Sequence, residues 1–487
     1  MVKICGGQVA AGSGSAAFDT FVLDSRVVKP GNLFVPIPGR IDPHAFVLDA
    51  LAGGAAAALI SESNESFEQI LEKFRRTYPS ASDKALVAVH NTQQYLYRLA
   101  EWYRGKFAAK CIGVTGSVGK TVTKETIAHL LRAKFATVAS ERNYNTEIGV
   151  PLTVARLLPE TEMLVSEMAM RHFGEIALLS RIVKPDTAVI TNVRSTHFEL
   201  LGSFENIALA KIEIVEGMKE GGTLFINCDD EIYKFVDETA RRRMEKKSGR
   251  IVRFGASEDA DISLVESQLL PDGSTHLRVR QGGADAEFIW AHPGVASVLN
   301  ILPAVFIARE LGITDETIRP LLADMPPMPQ RAQIIRLKNG AILIDDSYNA
   351  NPDSMREGLA ILQGIRPDAK RIAVLGDMLE LGGLSEQAHR ALGSLAAESR
   401  LAAVVFVGNE VRHACEEARA EMGDACHFVP HEKVEEVELP EGKIQAAFDL
   451  IQPFITRDSV VLIKSSRALK LERLVKIIID RFGESVG

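Results

Sequence analysis

Short apolar runs, most of them followed by a stretch of helical period, constrain this chain more than any other feature. Such runs fall at 86–89, 111–115, 163–166, 188–191, 224–227, 341–344, 372–375, 404–407 and 460–463. Segments of helical period lie between most of them, for instance 124–134 and 354–362. Strands that are apolar throughout must be covered on both faces. The alternation therefore predicts an α/β fold of parallel sheets with helices on either side. The longest run of apolar and small residues, 50–60, is rich in Ala and Gly and far too short to span a bilayer; it reads as a helix leading into a strand. No fixed-period repeat is apparent.

A chain of 487 residues exceeds one ordinary domain, and its length suggests about three. One break is expected at 106–110, just before an apolar run, and another at 325–330, "MPPMPQ", where three prolines prevent regular structure. The expected domains are thus 1–108, 109–328 and 329–487. The basic stretch 238–250 reads as a solvated helix face and the acidic stretch 431–442 as a surface loop. A net charge of −8 gives no basic field for nucleic acid or anionic lipid. The five cysteines lack C-x-x-C spacing and their number is odd, which disfavours a disulfide framework or a zinc site and fits a reducing cytoplasm. The N-terminal residues show no continuous apolar core of a signal peptide, so a cytoplasmic protein without membrane insertion is expected.

The stretch 113–125, "GVTGSVGKTVTKE", lies between an apolar run and a helical segment expected to start at Thr123. It departs from the strict G-x-x-x-x-G-K-[ST] pattern, because residue 114 is Val; the turn starts at Gly116 instead. Glycines at 116 and 119 let successive backbone N–H groups of Thr115, Gly116, Ser117, Val118 and Gly119 curl around an anion, and the following helix adds its positive end. Lys120 can then reach the β- and γ-phosphates of a nucleotide, and the Thr121 hydroxyl can ligate Mg²⁺. The competing reading is a glycine-rich turn with a surface lysine, which Gly-Lys-Thr between a strand and a helix makes the weaker one.

The form T-G-x-x-G-K-T resembles that of the Mur ligases and their folylpolyglutamate synthase relatives. The resemblance extends over nearly the whole chain: "LDSRVVKPGNLFVPIPGRIDPHAF" at 23–46, "NYNTEIGVPLT" at 143–153, "EMAMRHFGEI" at 167–176, "THFELLGSFENIALAKIEI" at 196–214, "LIDDSYNANPDSM" at 343–355, "VLGDMLELG" at 374–382 and "KSSRALKLERL" at 464–474. "DDSYNANP" and "GDMLELG" resemble one branch of the family in particular. The resemblance implies an N-terminal UDP-binding α/β domain, a central P-loop ATPase with a mainly parallel sheet, and a C-terminal Rossmann-like domain that binds an incoming dipeptide. It further implies ATP-dependent joining of UDP-N-acetylmuramoyl-tripeptide to D-alanyl-D-alanine through an acyl phosphate, in cytoplasmic peptidoglycan precursor synthesis, by a monomer.

Site residues follow from the same resemblance. Glu167 ends an apolar run, at the sheet edge where α/β proteins bind ligands, and a hard carboxylate there suits Mg²⁺. Taken alone it reads better as an exposed strand-end Glu; within "SEMAM" the family pattern favours the metal role. His197 matches the family's ligand to a second Mg²⁺, although a lone His is more often a structural hydrogen-bonder. Lys211 matches the lysine that several members carbamylate, turning an ammonium into a metal-bridging anion; the competing reading is a helix-surface lysine paired with Glu205 or Glu213. Arg331 resembles the arginine near the γ-phosphate, so Lys120, Lys211 and Arg331 form the implied catalytic set. Asp346, Tyr348 and Asn351 are expected at the ribose or the interdomain cleft, and Asn300 near adenine. The family often carries G-x-H-N-x-x-N before that asparagine, whereas this chain has Ala296 and Ser297 at the His-Asn places. Ser25, Arg26, Asp42 and His44 fall in the UDP-binding region, with Pro43 where Gly is usual. Asn145, Thr146 and Glu147 are expected to face the muramoyl peptide, and Lys464, Ser466 and Arg467 to hold the dipeptide's carboxylate. Two other readings remain open: a sister ligase with another amine acceptor, and a nucleotide-binding subunit that has lost catalysis.

Overall fold

The computed structural model describes residues 2–3, 5–39, 41–78, 83–194, 196, 198–294, 297–431 and 438–485. Its strands form three sheets, each drawn from one continuous stretch of chain. In the first, Thr20–Val22, Asn32–Phe34, Ala57–Ser61 and Ala85–Val89 run parallel, and Gly7–Gly12 pairs antiparallel with the last. Every residue of Ala57–Ser61 and Ala85–Val89 is buried, as two-sided cover requires. The small-residue run at 50–60 is a helix, Val47–Ala52, leading into the strand Ala57–Ser61.

The second sheet has nine strands in the order Ala284–Trp290, Thr275–Gln281, Ile262–Leu269, Arg250–Gly255, Thr223–Asn227, Thr187–Ile190, Lys110–Thr115, Met163–Glu167, Thr137–Ala139. From Arg250–Gly255 to Thr137–Ala139 all pairs are parallel, which is the expected core of the sheet. The opposite flank is an antiparallel ladder that long apolar runs do not reveal. Its strands alternate, with Leu277, Val279, Ala286, Phe288 and Trp290 buried and their neighbours more exposed. The turn between them is Gly282-Gly283, both at positive φ, so period-two alternation around a Gly-Gly turn was the available signal.

The third sheet runs Gln333–Arg336, Ile342–Asp346, Ser459–Lys464, Lys370–Gly376, Ala403–Gly408, Cys426–Pro430, and only its first strand is antiparallel. The proline-rich stretch 325–330 between the second and third sheets holds neither helix nor strand. At the first junction Arg104 is buried and donates to the carbonyls of Val183, Phe107 and Ala109 at 3.0, 2.9 and 2.6 Å, which ties the first sheet's last helix to the second sheet. The basic stretch at 238–250 is, as expected, largely a solvated helix, Tyr233–Glu245, with Arg241 and Arg242 paired to Asp237 and Glu238 one turn back. Of the acidic stretch at 431–442, residues 432–437 lie outside the described residues. All five cysteines are free thiols, and no helix among the described residues is long and apolar enough to cross a membrane.

Candidate active site

The strand Lys110–Thr115 turns sharply at Gly116, and the next helix starts at Lys120 rather than at Thr123. Gly116 and Gly119 have φ of 147° and 83°, which favours residues without a side chain. A Cβ on Gly116 would collide with the Thr191 hydroxyl, and one on Gly119 with the Asn300 amide. Both glycines therefore let the loop seat against neighbours that hold it. Thr191 Oγ1 and Asn192 Nδ2 donate to the Val118 carbonyl (2.6 and 3.1 Å), and Val118 N–H donates to Asn192 Oδ1 at 2.9 Å. Arg194 N–H donates to Ser117 Oγ at 2.9 Å. Thr191, Asn192 and Arg194 were not foreseen; their only sequence signal is their place just beyond the strand Thr187–Ile190, beside the loop strand.

Four side chains from four stretches of chain meet at the loop's end. Thr121 Oγ1 donates to Glu167 Oε2 at 2.9 Å and accepts from Arg331 Nη2 at 2.9 Å, while Asn145 Nδ2 donates to Glu167 Oε1 at 2.8 Å. Glu167 is 2% exposed at its strand's carboxyl end, so the open strand-end reading does not hold. A hydroxyl and one carboxylate suit Mg²⁺, which takes one or two protein oxygens and completes its shell with phosphates and water. Among the described residues no group of three or more His, Cys, Asp or Glu side chains is placed to hold a metal ion by itself. His197 and Ala296 lie outside the described residues, as does the side chain of Ser297.

Lys120 Nζ curls back to the carbonyls of Gly116 and Ser117 at 2.8 and 3.1 Å, which keeps its ammonium over the loop. Burial lowers its pKa; Glu167 opposes that shift and Arg331 adds to it. Lys211 sits in the helix Phe204–Ile212 and is 2% exposed, so it is no surface lysine. Burial drives its pKa well below the ordinary value, Lys120 adds to the fall, and Asp230 opposes it. Asp230 itself is pushed up to about 6 by burial, against the pull of Arg194. Glu213, the partner considered for Lys211, instead accepts the backbone N–H groups of Gly174 and Ala177.

The opposite wall comes from the third sheet. Asp346 ends the strand Ile342–Asp346 and lies beside Lys464 in the neighbouring parallel strand. Lys464 Nζ donates to Asp346 Oδ2 at 2.6 Å and to the Asn349 carbonyl at 3.1 Å. Lys464, expected at an open edge for a dipeptide carboxylate, is 1% exposed, because a buried ammonium takes the counter-charge its register supplies. Ser466 is also buried, with Oγ accepting from Leu379 N–H at 3.0 Å. Arg467 differs: it lies half-exposed, donates to Gln330 and Glu472, and covers one face of Tyr348, whose ring also carries Arg331 at 4.0 Å. Asn351 is the N-cap of the helix Pro352–Gly364, in a reciprocal capping box with Ser354.

One cavity joins these walls, lined by residues 117–122, Asn145, Glu167, Arg331, Asp346, Tyr348, Asn351 and Lys464. Asn300 lines a separate cleft beside it, and its Oδ1 is buried without a partner. Trp290 and His292 also line the main cavity, each with a buried ring nitrogen that has no partner, and both were missed because the strand bearing Trp290 was not read. Thr146 is exposed and, unlike Asn145, does not line the cavity; its hydroxyl accepts from Gly149 N–H. In the first domain Ser25 and Arg26 form an exposed turn in which Arg26 pairs with Asp24. Asp42 Oδ1 accepts from His44 Nδ1 at 2.6 Å, and His44 Nε2 accepts from Ser61 N–H at 3.2 Å. Both ring nitrogens of the buried His44 are thus used internally. Pro43 occupies the first position of that turn, where no N–H is needed.

The sheet topology and the anchored glycine loop are those of a P-loop nucleotide-binding protein. Residues 114–308 match the Mur ligase middle domain, and residues 330–467 match the Mur ligase, glutamate ligase domain. The chain belongs to the Mur ligase family. The UDP-N-acetylmuramoyl-tripeptide–D-alanyl-D-alanine ligase of Bacillus subtilis is 31% identical to it, over 94% of this chain and 92% of its own. The enzyme of the same name from Escherichia coli is 30% identical over 94% and 93%. A crystal structure of MurF from Acinetobacter baumannii superposes with a TM-score of 0.78 at 28% identity, covering 94% of this chain and 93% of its own. MurF from Thermotoga maritima in complex with ADP gives 0.76 at 28%, covering 96% and 99%.

Proposed function

We propose that this chain is an ATP-dependent ligase that joins UDP-N-acetylmuramoyl-tripeptide to D-alanyl-D-alanine, in the cytoplasmic synthesis of peptidoglycan precursors on which cell wall, shape and division depend. The observation that carries the reading is the Arg331–Thr121–Glu167 chain, which runs from the interdomain linker onto the phosphate loop. A cation delivered there from outside the loop serves a transferring phosphoryl group. In this reading residues 1–108 hold the UDP-muramoyl substrate, 109–328 the ATP and 329–487 the dipeptide, and the protein acts as a monomer.

A carboxylate and an amine at neutral pH form a salt, so the carboxylate has to be activated. Its oxygen attacks the γ-phosphorus, the bond to the β-phosphate oxygen breaks, and ADP leaves. The dipeptide amine then attacks the acyl carbon, the bond to the phosphate oxygen breaks, and the amine nitrogen loses a proton. In this reading the loop N–H groups and Lys120 cradle the phosphates, and Arg331, which donates to Thr121, supplies positive charge to the group in flight. Thr121, Glu167, His197 and a carbamate on Lys211 are the residues that would hold Mg²⁺, two ions in the family's pattern, and bound metal would screen the meeting of two anions. Burial, with Lys120 adding to it, lowers the pKa of Lys211, which favours the neutral amine, the form that adds CO₂. Asp346 stands ready to accept ribose hydroxyls.

The test is release of inorganic phosphate from ATP by the purified chain. The reading expects release only when both UDP-N-acetylmuramoyl-tripeptide and D-alanyl-D-alanine are present. Hydrolysis indifferent to both would refute it, and coupling to a different amine acceptor would assign the chain to a sister ligase.

A further inference from the structure

A second chamber, of about 650 Å³, opens on the far side of Thr121. That size is typical of pockets for small molecules. Its floor is one face of the phosphate-loop helix, bearing Glu125, His129 and Arg132, and its roof is the proline-rich linker 325–330. Arg142, Arg331 and Arg467 complete the wall, so four guanidinium groups face one space. The acidic side chain among them, Glu125, is paired with the buried Lys124. Arg132 and Arg142 are exposed and have no side-chain partner among the described residues. Arg142 and Gln330 are held at φ of 45° and 62°, in the left-handed region that non-glycine residues rarely adopt. Backbone strain of this kind gathers at ligand clamps.

We propose that this chamber receives the amine substrate and that Arg132, Arg142 and Arg467 hold its free carboxylate. The inference rests on the ligase reading above and deepens it, extending the dipeptide's site from residues 329–487 onto Arg132 and Arg142 of 109–328. The chamber and the nucleotide cavity share Thr121, Met328, Arg331 and Tyr348, the residues at the phosphoryl-transfer end of the loop. An acyl phosphate formed there is reached from the chamber without crossing the nucleotide. Glu167 and Asn145 line the nucleotide cavity and not the chamber, which leaves the carboxylate donor a separate approach. Guanidinium groups bind carboxylates by paired, charge-assisted hydrogen bonds. Positive surroundings also lower an amine's pKa, which favours the neutral, nucleophilic form. Lys464 and Ser466 are buried and bonded internally, whereas Arg467, although its Nη1 donates to Gln330 and Glu472, is half-exposed on the chamber wall and is the member of that trio within reach of substrate.

The experiment compares D-alanyl-D-alanine with D-alanyl-D-alaninamide, whose carboxylate is replaced by a neutral amide, as acceptors for wild type and for the Arg132→Ala/Arg142→Ala double variant. Wild type should show an acceptor KM about tenfold or more higher for the amide. The variant should treat the two acceptors nearly alike, with KM for ATP and for UDP-N-acetylmuramoyl-tripeptide unchanged. Arg142→Gln serves if the double variant fails to bind ADP normally. Equal use of both acceptors by wild type, or undiminished preference for the carboxylate in the variant, would overturn the inference while leaving the ligase intact. Absence of ligation with any acceptor would instead sink the underlying reading.

Discussion

Replacing Lys464 by Met should destabilise the third domain and weaken nucleotide binding, while leaving the dipeptide's affinity alone. The Lys464 side chain is 2% exposed and that of Asp346 17%, with 2.6 Å between ammonium and carboxylate. Breaking a buried ion pair from one side costs ~3–5 kcal/mol, because the remaining charge is stranded. Asp346 keeps its bond from Ala332 N–H at 3.1 Å and some contact with solvent, which places the loss near the lower end, about 3 kcal/mol. Asp346→Asn should cost at least as much, since it strands an ammonium with less access to water. The double variant, free of both charges, should recover most of either loss, so the two single losses should be far from additive. Three domains do not unfold as one two-state unit. The readout is therefore hydrogen exchange in urea at Ile342–Asp346 and Ser459–Lys464, the strands that carry the pair. A loss below about 0.5 kcal/mol in Lys464→Met would refute the reasoning, since a surface substitution costs that little. A raised KM for the dipeptide with an unchanged KM for ATP would show that the ammonium serves the acceptor after all.

Gly119→Ala should lower ADP affinity, measured by calorimetry, by at least about tenfold with the fold retained, since φ of 83° and the Asn300 amide both oppose a methyl group. Lys211→Ala should lose ligation with an unchanged circular dichroism spectrum, and short-chain carboxylates should partly restore the rate; full activity in the variant would exclude a carbamate role. Burial pushes His292 from its ordinary 6.5 down to about 4, with a bond to the Pro326 carbonyl in partial opposition. On acidification the unfolded chain takes up this proton first, so stability falls as pH drops through 6.5 and the loss is complete near 4. It amounts to roughly 3 kcal/mol. His292→Phe should flatten that limb of the stability–pH curve, and an unchanged slope would contradict the assignment.

The parallel strands were legible because a strand covered on both faces must be apolar at every position, as at Ala57–Ser61 and Ala85–Val89. The ladder Ile262–Trp290 was not, because its exposed face carries Arg278, Arg280 and Glu287, which dilute any apolar run. Gly116, Gly119, Lys120 and Thr121 could be placed because their chemistry is local to one turn. The fate of Lys464 could not, since it depends on which strand lies beside it, and Ser459–Lys464 is separated from Ile342–Asp346 by more than a hundred residues. His44 shows the same limit: Asp42 is two residues away, but Ser61, which occupies its other ring nitrogen, comes from the neighbouring sheet strand. Contacts that span strands also explain why Thr191 and Asn192, which hold the phosphate loop, went unread.

The most direct test of the account follows an oxygen atom. UDP-N-acetylmuramoyl-tripeptide labelled with oxygen-18 in its terminal carboxylate should, on turnover with ATP and D-alanyl-D-alanine, pass one labelled oxygen to each inorganic phosphate released. Ligation that proceeds with unlabelled phosphate would contradict the acyl phosphate, and with it the role given to Arg331 and the phosphate loop.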